Sequence, residues 1–274
     1  MVTLRRRLIY TPPCYTGENE NSGNGSHSQS GEIMTRLQTL IAWSAVSTAL
    51  LTSANAQTVD DIINKYTDAI GGKAVLAGIQ SVQIEGTANA MGNDFPLRVI
   101  IVDGKAFKSE VDLNGSAVVR CVTDTGGWSL NPMIGESSPK VLSADQAKAT
   151  RSSLYIAGPL VDYKSKGFSA ELLGRVDDNG VSAYRIRLFD NAASDVTYDL
   201  DPNTYLILKA TAKAKVNGVD VTSTSTFSNY KKTPIGYTMA YTIALTDLGY
   251  DIVLTYSKVE FNQDIDPQTF AAPQ

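Results

Sequence analysis

Alternation of large apolar residues with small ones constrains this chain more than any other feature. It recurs from Val181 to Phe261 and is clearest from Tyr237 to Leu245. Successive side chains of a β-strand point to opposite faces, so this segment has one bulky apolar face and one small, mildly polar face. Such a strand suits a curved antiparallel sheet with one covered face. Periodicity alone leaves open whether the bulky face closes a sandwich core or forms a lipid-facing wall.

Turn signals such as Asn114-Gly115 separate about ten strand patterns. A helix is predicted over Thr58–Gly72, with Thr58 and Asp61 as a capping box, and a second over Ser143–Ser153. A single sheet of that many antiparallel strands curls, because strands twist. We therefore predict an α+β, mostly β fold. Its one strongly curved antiparallel sheet, a half-closed barrel, has the N-terminal helix and the mid-chain helix over its concave face.

Residues 34–56 have the layout of a secretory signal peptide. A short basic start is followed by the apolar run Leu37–Leu51 and by the small-residue site Ala54-Asn55-Ala56. We predict cleavage after Ala56, which leaves residues 57–274 as one soluble periplasmic domain with no transmembrane span. We interpret residues 1–33 as a non-native or disordered extension, since they are rich in Gly, Ser and Asn.

Composition excludes several classes of protein. Residues 57–274 have a net charge of −5 (20 Lys/Arg and 25 Asp/Glu) and no basic block, which argues against a nucleic-acid partner. The only histidine, His27, and one of the two cysteines, Cys14, precede the predicted cleavage site. The mature chain would then lack a histidine base, a Cys/His zinc site and an internal disulfide. We expect no catalytic residues, no metal and no cofactor. A carboxylate-based hydrolase would need convergent acids, and the sequence does not display them.

Five short stretches keep a common order and spacing along residues 57–274, although each is a weak pattern alone. They are Ile62-Ile63-x-Lys65-Tyr66-x-x-Ala69-Ile70-Gly71-Gly72, Gly127-Trp128-x-x-Asn131-Pro132, Gly158-Pro159-Leu160-Val161-Asp162-Tyr163, Tyr198-x-Leu200-Asp201-x-x-Thr204-Tyr205, and Asn262-x-x-Ile265-Asp266 to Phe270. With this set the chain resembles the periplasmic outer-membrane lipoprotein-sorting proteins, relatives of the Lol lipoprotein carriers.

The resemblance implies a half-closed barrel around an apolar cavity, lidded by helices. It also implies carriage of acyl chains across an aqueous compartment, without catalysis. No residue matches the classical carrier's lid-locking contact by position; Arg98 is the nearest candidate.

Eight residues are the candidate lipid contacts. They are Tyr237, Met239, Tyr241, Ile243, Leu206, Leu208, Trp128 and Leu160. Each methylene buried on such a wall is worth about 0.8 kcal/mol, and methionine adapts to irregular ligands. We predict a periplasmic carrier that holds the acyl chains of a lipid or lipoprotein.

Three alternatives stay open. The helix stripe could fill the interior and leave no cavity, and Trp128 could be an ordinary core residue. The chain could also be a non-catalytic envelope protein-interaction or assembly module that binds envelope proteins through the loops Asn131–Pro139 and Gly158–Lys166.

Overall fold

The computed structural model describes residues 57–178, 180–190, 194–216, 219–247 and 250–273, all within the compact unit Ala54–Gln274. The predicted extension and signal peptide lie outside these residues. Within the described residues, thirteen strands form one sheet, where about ten were predicted. They are β1 Ser81–Ala90, β2 Asn93–Val102, β3 Ala106–Leu113, β4 Ser116–Thr123, β5 Gly127–Leu130, β6 Lys140–Val141, β7 Ser169–Asp178, β8 Val181–Phe189, β9 Asp195–Leu200, β10 Ile207–Val216, β11 Val219–Lys232, β12 Thr238–Asp247 and β13 Tyr250–Phe261.

The sheet consists of two antiparallel meanders joined side by side. Its strand order is β6-β5-β4-β3-β2-β1-β13-β12-β11-β10-β9-β8-β7, so β1 and β13 form the seam between the meanders. The edge strands β6 and β7 do not pair with each other, and the sheet is a half-open barrel. This confirms the predicted single curved sheet.

A β-bulge at Glu85 and Gly86 interrupts the seam. The backbone of β13 comes so close there that a Cβ on Gly86 would overlap the carbonyl oxygen of Thr255. Glycine is therefore required at this position, because the two strands could not keep their pairing around a larger residue.

In the part of the chain that the structure describes, three α-helices accompany the sheet: α1 Val59–Ala69, α2 Gly72–Ala77 and α3 Ala144–Ala149. Helix α1 begins with the predicted capping box, in which Thr58 Oγ1 accepts a hydrogen bond from the Asp61 N–H at 3.1 Å and Asp61 Oδ2 accepts one from the Thr58 N–H at 2.9 Å. It ends before Gly71, whose φ of +133° disfavours any other residue. One apolar stripe of the helix is buried: Ile62, Ile63, Tyr66 and Ile70.

The second predicted helix is shorter than expected. Helix α3 starts at the Ser143 cap, as predicted, but it ends at Ala149 and is followed by a 3₁₀ helix over Arg151–Leu154. None of the α3 residues is buried, so α3 gains no stability from packing against the sheet. Without such packing a helix stays short, because isolated helices are only marginally stable in water.

The segment 155–168, here called the strap, ties the two meanders together. At its start, the Ile156 N–H donates to Asp103 Oδ1 at 2.8 Å, in the turn between β2 and β3. Further along, the Tyr163 hydroxyl and the Lys164 ammonium donate to the Asp60 carboxylate of α1, at 2.9 and 2.7 Å. The strap then enters β7. It therefore runs from the first meander to α1 and the second meander.

Lys166 stabilises the turn of the strap from within. Its ammonium donates to the carbonyl oxygens of Gly158 and Val161 at 3.0 and 2.6 Å, and it lies 4.4 Å from the centre of the Tyr155 ring. Burial lowers the pKa of Lys166, since desolvation disfavours its charged form. The two carbonyl bonds compensate part of that cost and hold the strap in one conformation.

Candidate functional site

The two faces of the sheet can be separated by following cross-strand pairs, because directly opposed residues point to the same side. Ile243 of β12 opposes Phe227 of β11 and Leu254 of β13. Phe227 packs against the core cluster that includes α1 and the strap, and Leu254 packs against the core cluster of β1 and β2. We call this side, which α1 and the strap cover in part, the inner face.

The inner face is covered unevenly. Under α1 and the strap, Ile186, Leu188 and Leu200 are at most 1% exposed. Where β12 and β13 extend beyond the strap, by contrast, five neighbouring large apolar residues of the inner face are only half-buried. We call these residues the open sector: Tyr241, Ile243, Leu245, Ile252 and Leu254. They form an apolar wall that an additional molecule could cover.

Tyr237 and Met239 belong to the covered part of the inner face. Tyr237 is 7% exposed, its hydroxyl donates to the Ile156 carbonyl oxygen at 3.0 Å, and its ring meets the Phe261 ring edge-on at 6.1 Å. Met239 packs against both large core clusters. Four of the predicted contacts therefore lie along β12. Tyr237 lies beneath the strap, Met239 lies where the two large core clusters meet, and Tyr241 and Ile243 follow in the open sector.

The predicted leucines lie nearer to α1. Leu160, in the strap, is 1% exposed and belongs to the same cluster as α1, and Leu206 is partly buried against that cluster. Leu208 is half-buried where the pairing of β10 with β9 shifts between Ile207 and Lys209. The structure does not bring these three residues into the open sector.

Trp128 lies on the opposite, outer face. It pairs with Cys121 of β4, and both residues pack in a cluster that Phe270 of the C-terminal tail covers. The indole Nε1 donates to the Phe270 carbonyl oxygen at 2.9 Å. Arg98 also points outward, since it opposes Glu85 and Glu110, away from the strap.

Two small recesses occur in the described part of the chain. One has a volume of about 60 Å³ and lies between α3, the strap and β8–β10, and the other has about 50 Å³ and is lined by Arg98, Lys108 and Thr269. Binding pockets for organic ligands have about 300–1,000 Å³. Neither of these two recesses can therefore enclose an acyl chain.

Buried polar groups of the interior are satisfied by hydrogen bonds. The hydroxyls of Tyr66, Tyr230 and Tyr237 donate to backbone carbonyls at 3.4, 2.7 and 3.0 Å. Burial raises the pKa of each tyrosine. It also raises the pKa of the Cys121 thiol to about 11, which makes that thiol a weak nucleophile. Among the described residues, no group of three or more His, Cys, Asp or Glu could hold a metal ion.

Leu245, Ile252 and Leu254 are open-sector residues that the candidate lipid contacts did not include. In β13, Ile252 and Leu254 alternate with Asp251, Val253 and Thr255, so their positions have the same period of two as the large residues of β12. That period could have identified them, because a neighbouring strand with the same pattern is expected to share the apolar face.

Comparisons with known proteins bear on the fold. Neither a protein-family model nor a curated protein matches the sequence. An outer membrane lipoprotein-sorting protein domain from Vibrio parahaemolyticus has a similar structure, with a TM-score of 0.51 and 17% identity over 77% of this chain and 97% of that one. A LolA superfamily protein from Nitrosomonas europaea has a TM-score of 0.52 and 17% identity, over 79% of this chain and 98% of its own.

The chain has the same fold as these two proteins. A DUF1329 family protein from Desulfovibrio piger also has it, with a TM-score of 0.52 and 14% identity over 79% of this chain and 98% of that chain. The predicted resemblance is thus confirmed at the level of the fold. No helix in the described ranges is long and apolar enough to cross a membrane.

Proposed function

We propose that this protein is a periplasmic carrier whose LolA-like sheet holds acyl chains of a lipid or lipoprotein on the open sector. The observation that carries the proposal is the row of half-buried apolar residues on the inner face of β12 and β13. A large apolar surface of this kind is costly to leave in water and is typical of binding sites. The carrier would act by binding and release, without catalysis.

The size of the inner face is compatible with an acyl chain. Five adjacent strands, from β3 through β2, β1 and β13 to β12, carry apolar residues on this face, including Val111, Leu97 and Leu254. At about 4.8 Å per strand spacing, they span roughly 19 Å. One leaflet of a bilayer core is about 15 Å thick, so an extended acyl chain fits across these strands.

Adjacent residues of β13 provide a matched test. Leu254 lies on the inner face, whereas Val253 alternates to the outer face and is 37% exposed. We expect Leu254→Asn to weaken laurate binding about tenfold and Val253→Asn to leave it unchanged. Laurate titration of the purified proteins measures this, and mass spectrometry of co-purified lipid tests for a natural cargo. A wild-type protein that binds no laurate and carries no lipid contradicts the proposal.

A second candidate function is an assembly module of the envelope. Met133 and Ile134 are 71% and 72% exposed, in a loop ordered by the hydrogen bond from the Asn131 N–H to Glu136 Oε2 at 2.8 Å. Exposed apolar residues on an ordered loop suit a protein contact. Replacing both residues by serine should then abolish capture of an unacylated envelope protein, while laurate binding stays intact.

A further inference from the structure

A row of polar residues crosses four strands of the first meander. Arg120 of β4 lies opposite Ser109 of β3 and Ser129 of β5, and Ser129 lies opposite Lys140 of β6. Directly opposed residues share a face, so these four side chains point to the same side of the sheet. We call Ser109, Arg120, Ser129 and Lys140 the cationic row.

The cationic row belongs to the inner face. Ser109 also opposes Val99 of β2, which in turn opposes Ile84 of β1. Val99 and Ile84 are buried in the inner cluster against which Leu254 packs. The next residue of β4, Cys121, points the other way and lies under the C-terminal tail. The row therefore continues the face that carries the open sector.

The charges of the row are not neutralised by nearby carboxylates. Arg120 and Lys140 are exposed, and neither forms an ion pair with any residue that the structure describes. The acidic residues of β3, Glu110 and Asp112, alternate to the outer face, where Glu110 lies 3.6 Å from Lys108. Along β3–β6 the inner face thus presents two cations and no acid.

The spacing of the row suits a single anion. Strands lie about 4.8 Å apart, so the backbones of Arg120 and Lys140 are separated by roughly 10 Å, with Ser129 between them. Both cations have long, flexible side chains that can converge over the serine. A guanidinium fork, an ammonium and a hydroxyl together match the oxygens of a phosphate or carboxylate.

We propose that the cationic row binds the anionic head group, a phosphate or carboxylate, of an amphiphile whose acyl chain lies along the inner face. This inference rests on the proposed acyl-binding function. Val111 and Val118 are half-buried and pair with each other on the inner face beside the row. On the next strand Leu97, which pairs with Val111, is 5% exposed, and the half-buried Phe95 lies two residues away on the same face. An acyl chain that leaves the row can therefore follow apolar side chains towards the open sector.

The test compares two ligands with the same chain but different head groups. Laurate is anionic at pH 8, and dodecanol is neutral. We expect the wild-type protein to bind laurate about tenfold more tightly than dodecanol, because charge-assisted hydrogen bonds favour the carboxylate. The double variant Arg120→Gln, Lys140→Gln should lose this preference and still bind dodecanol as the wild type does. Lys108→Gln, on the outer face of the same sheet region, serves as the matched control and should retain it.

Each outcome discriminates between explanations. Equal affinity of the wild-type protein for laurate and dodecanol overturns the head-group site but leaves acyl binding intact. Absence of binding to both ligands overturns the proposed function and this inference together. A titration with inorganic phosphate completes the test. If the wild-type protein binds phosphate, the double variant does not, and the wild type shows no preference for laurate over dodecanol, then the cationic row binds a free anion and not a lipid head group. Urea unfolding of each variant verifies that the fold is retained, as expected for the exposed side chains of Arg120 and Lys140.

Discussion

Shortening one isoleucine of the open sector and one of the covered core should separate binding from stability. Ile243 is half-buried on the inner face of β12, and Ile186 is 0% exposed beneath α1 and the strap. Isoleucine to alanine removes three carbons, each worth about 0.8 kcal/mol when fully buried. At Ile186 the cavity adds to this loss, so Ile186→Ala should lower the free energy of unfolding by about 2–5 kcal/mol.

Ile243→Ala should behave differently, because up to about a third of its burial is missing until a ligand covers it. Without ligand we expect a loss of about 1.6 kcal/mol of unfolding free energy. The remaining part, about 0.8 kcal/mol, would be gained on binding, so laurate affinity should fall about fourfold. Urea unfolding measures the first quantity and laurate titration the second. Laurate affinity of folded Ile186→Ala should stay near that of the wild type.

Two results would refute this reasoning. An unfolding loss for Ile243→Ala as large as that for Ile186→Ala would mean that Ile243 belongs to a closed core. Unchanged laurate affinity, together with the small loss of stability, would mean that the acyl chain does not touch β12.

Two further predictions concern the strap and the seam. The hydrogen bond from Lys164 holds the pKa of Asp60 below its usual range. The stability that this contact provides is therefore present above the ordinary carboxyl pKa and is lost as the pH falls through the lowered pKa. Wild-type protein should therefore lose more thermal stability between about pH 5 and pH 2 than Asp60→Asn does; parallel losses would exclude the contact as a source of stability. Gly86→Ala should cost more than about 2 kcal/mol in urea unfolding, because its Cβ would overlap the Thr255 carbonyl oxygen. Gly126→Ala, at a glycine whose Cβ would meet nothing within 4 Å, is the control, and equal losses for the two variants would contradict the steric argument.

Features encoded over a few residues were predictable from the sequence. The capping box of α1 needs only Thr58 and Asp61, three residues apart, and the structure contains both of its hydrogen bonds. The alternation in β12 correctly places Tyr241 and Ile243 on one face, because the period of a strand is local. The ends of such elements depend on packing, as the early end of α3 at Ala149 illustrates.

Features that depend on pairing between distant segments were not predictable. The two-residue strand β6 exists because Lys140 and Val141 pair with β5, and their own residue types do not indicate a strand. The outward direction of Trp128 is set by its pairing with Cys121 and by the tail residue Phe270. Sequence shows the alternation of β5 but not which of its two faces meets the strap.

The same dependence on register explains why the cationic row is invisible in the sequence. Its four members are spread over Ser109 to Lys140 and become neighbours only when β3 to β6 are aligned. The inner face then has two chemistries in one continuous surface: cations and hydroxyls on the first meander and, across the seam, mainly apolar side chains, with the Lys231 ammonium 4.7 Å from the centre of the Tyr241 ring. A ligand that uses both must lie with its head group on β4–β6 and its chain towards β12. At about 4.8 Å per strand, β4 and β13 lie roughly 19 Å apart, which exceeds the length of a C12 chain, so this comparison needs stearate and stearyl alcohol. Changes at Leu254 should weaken both ligands equally, whereas changes at Arg120 should weaken stearate alone.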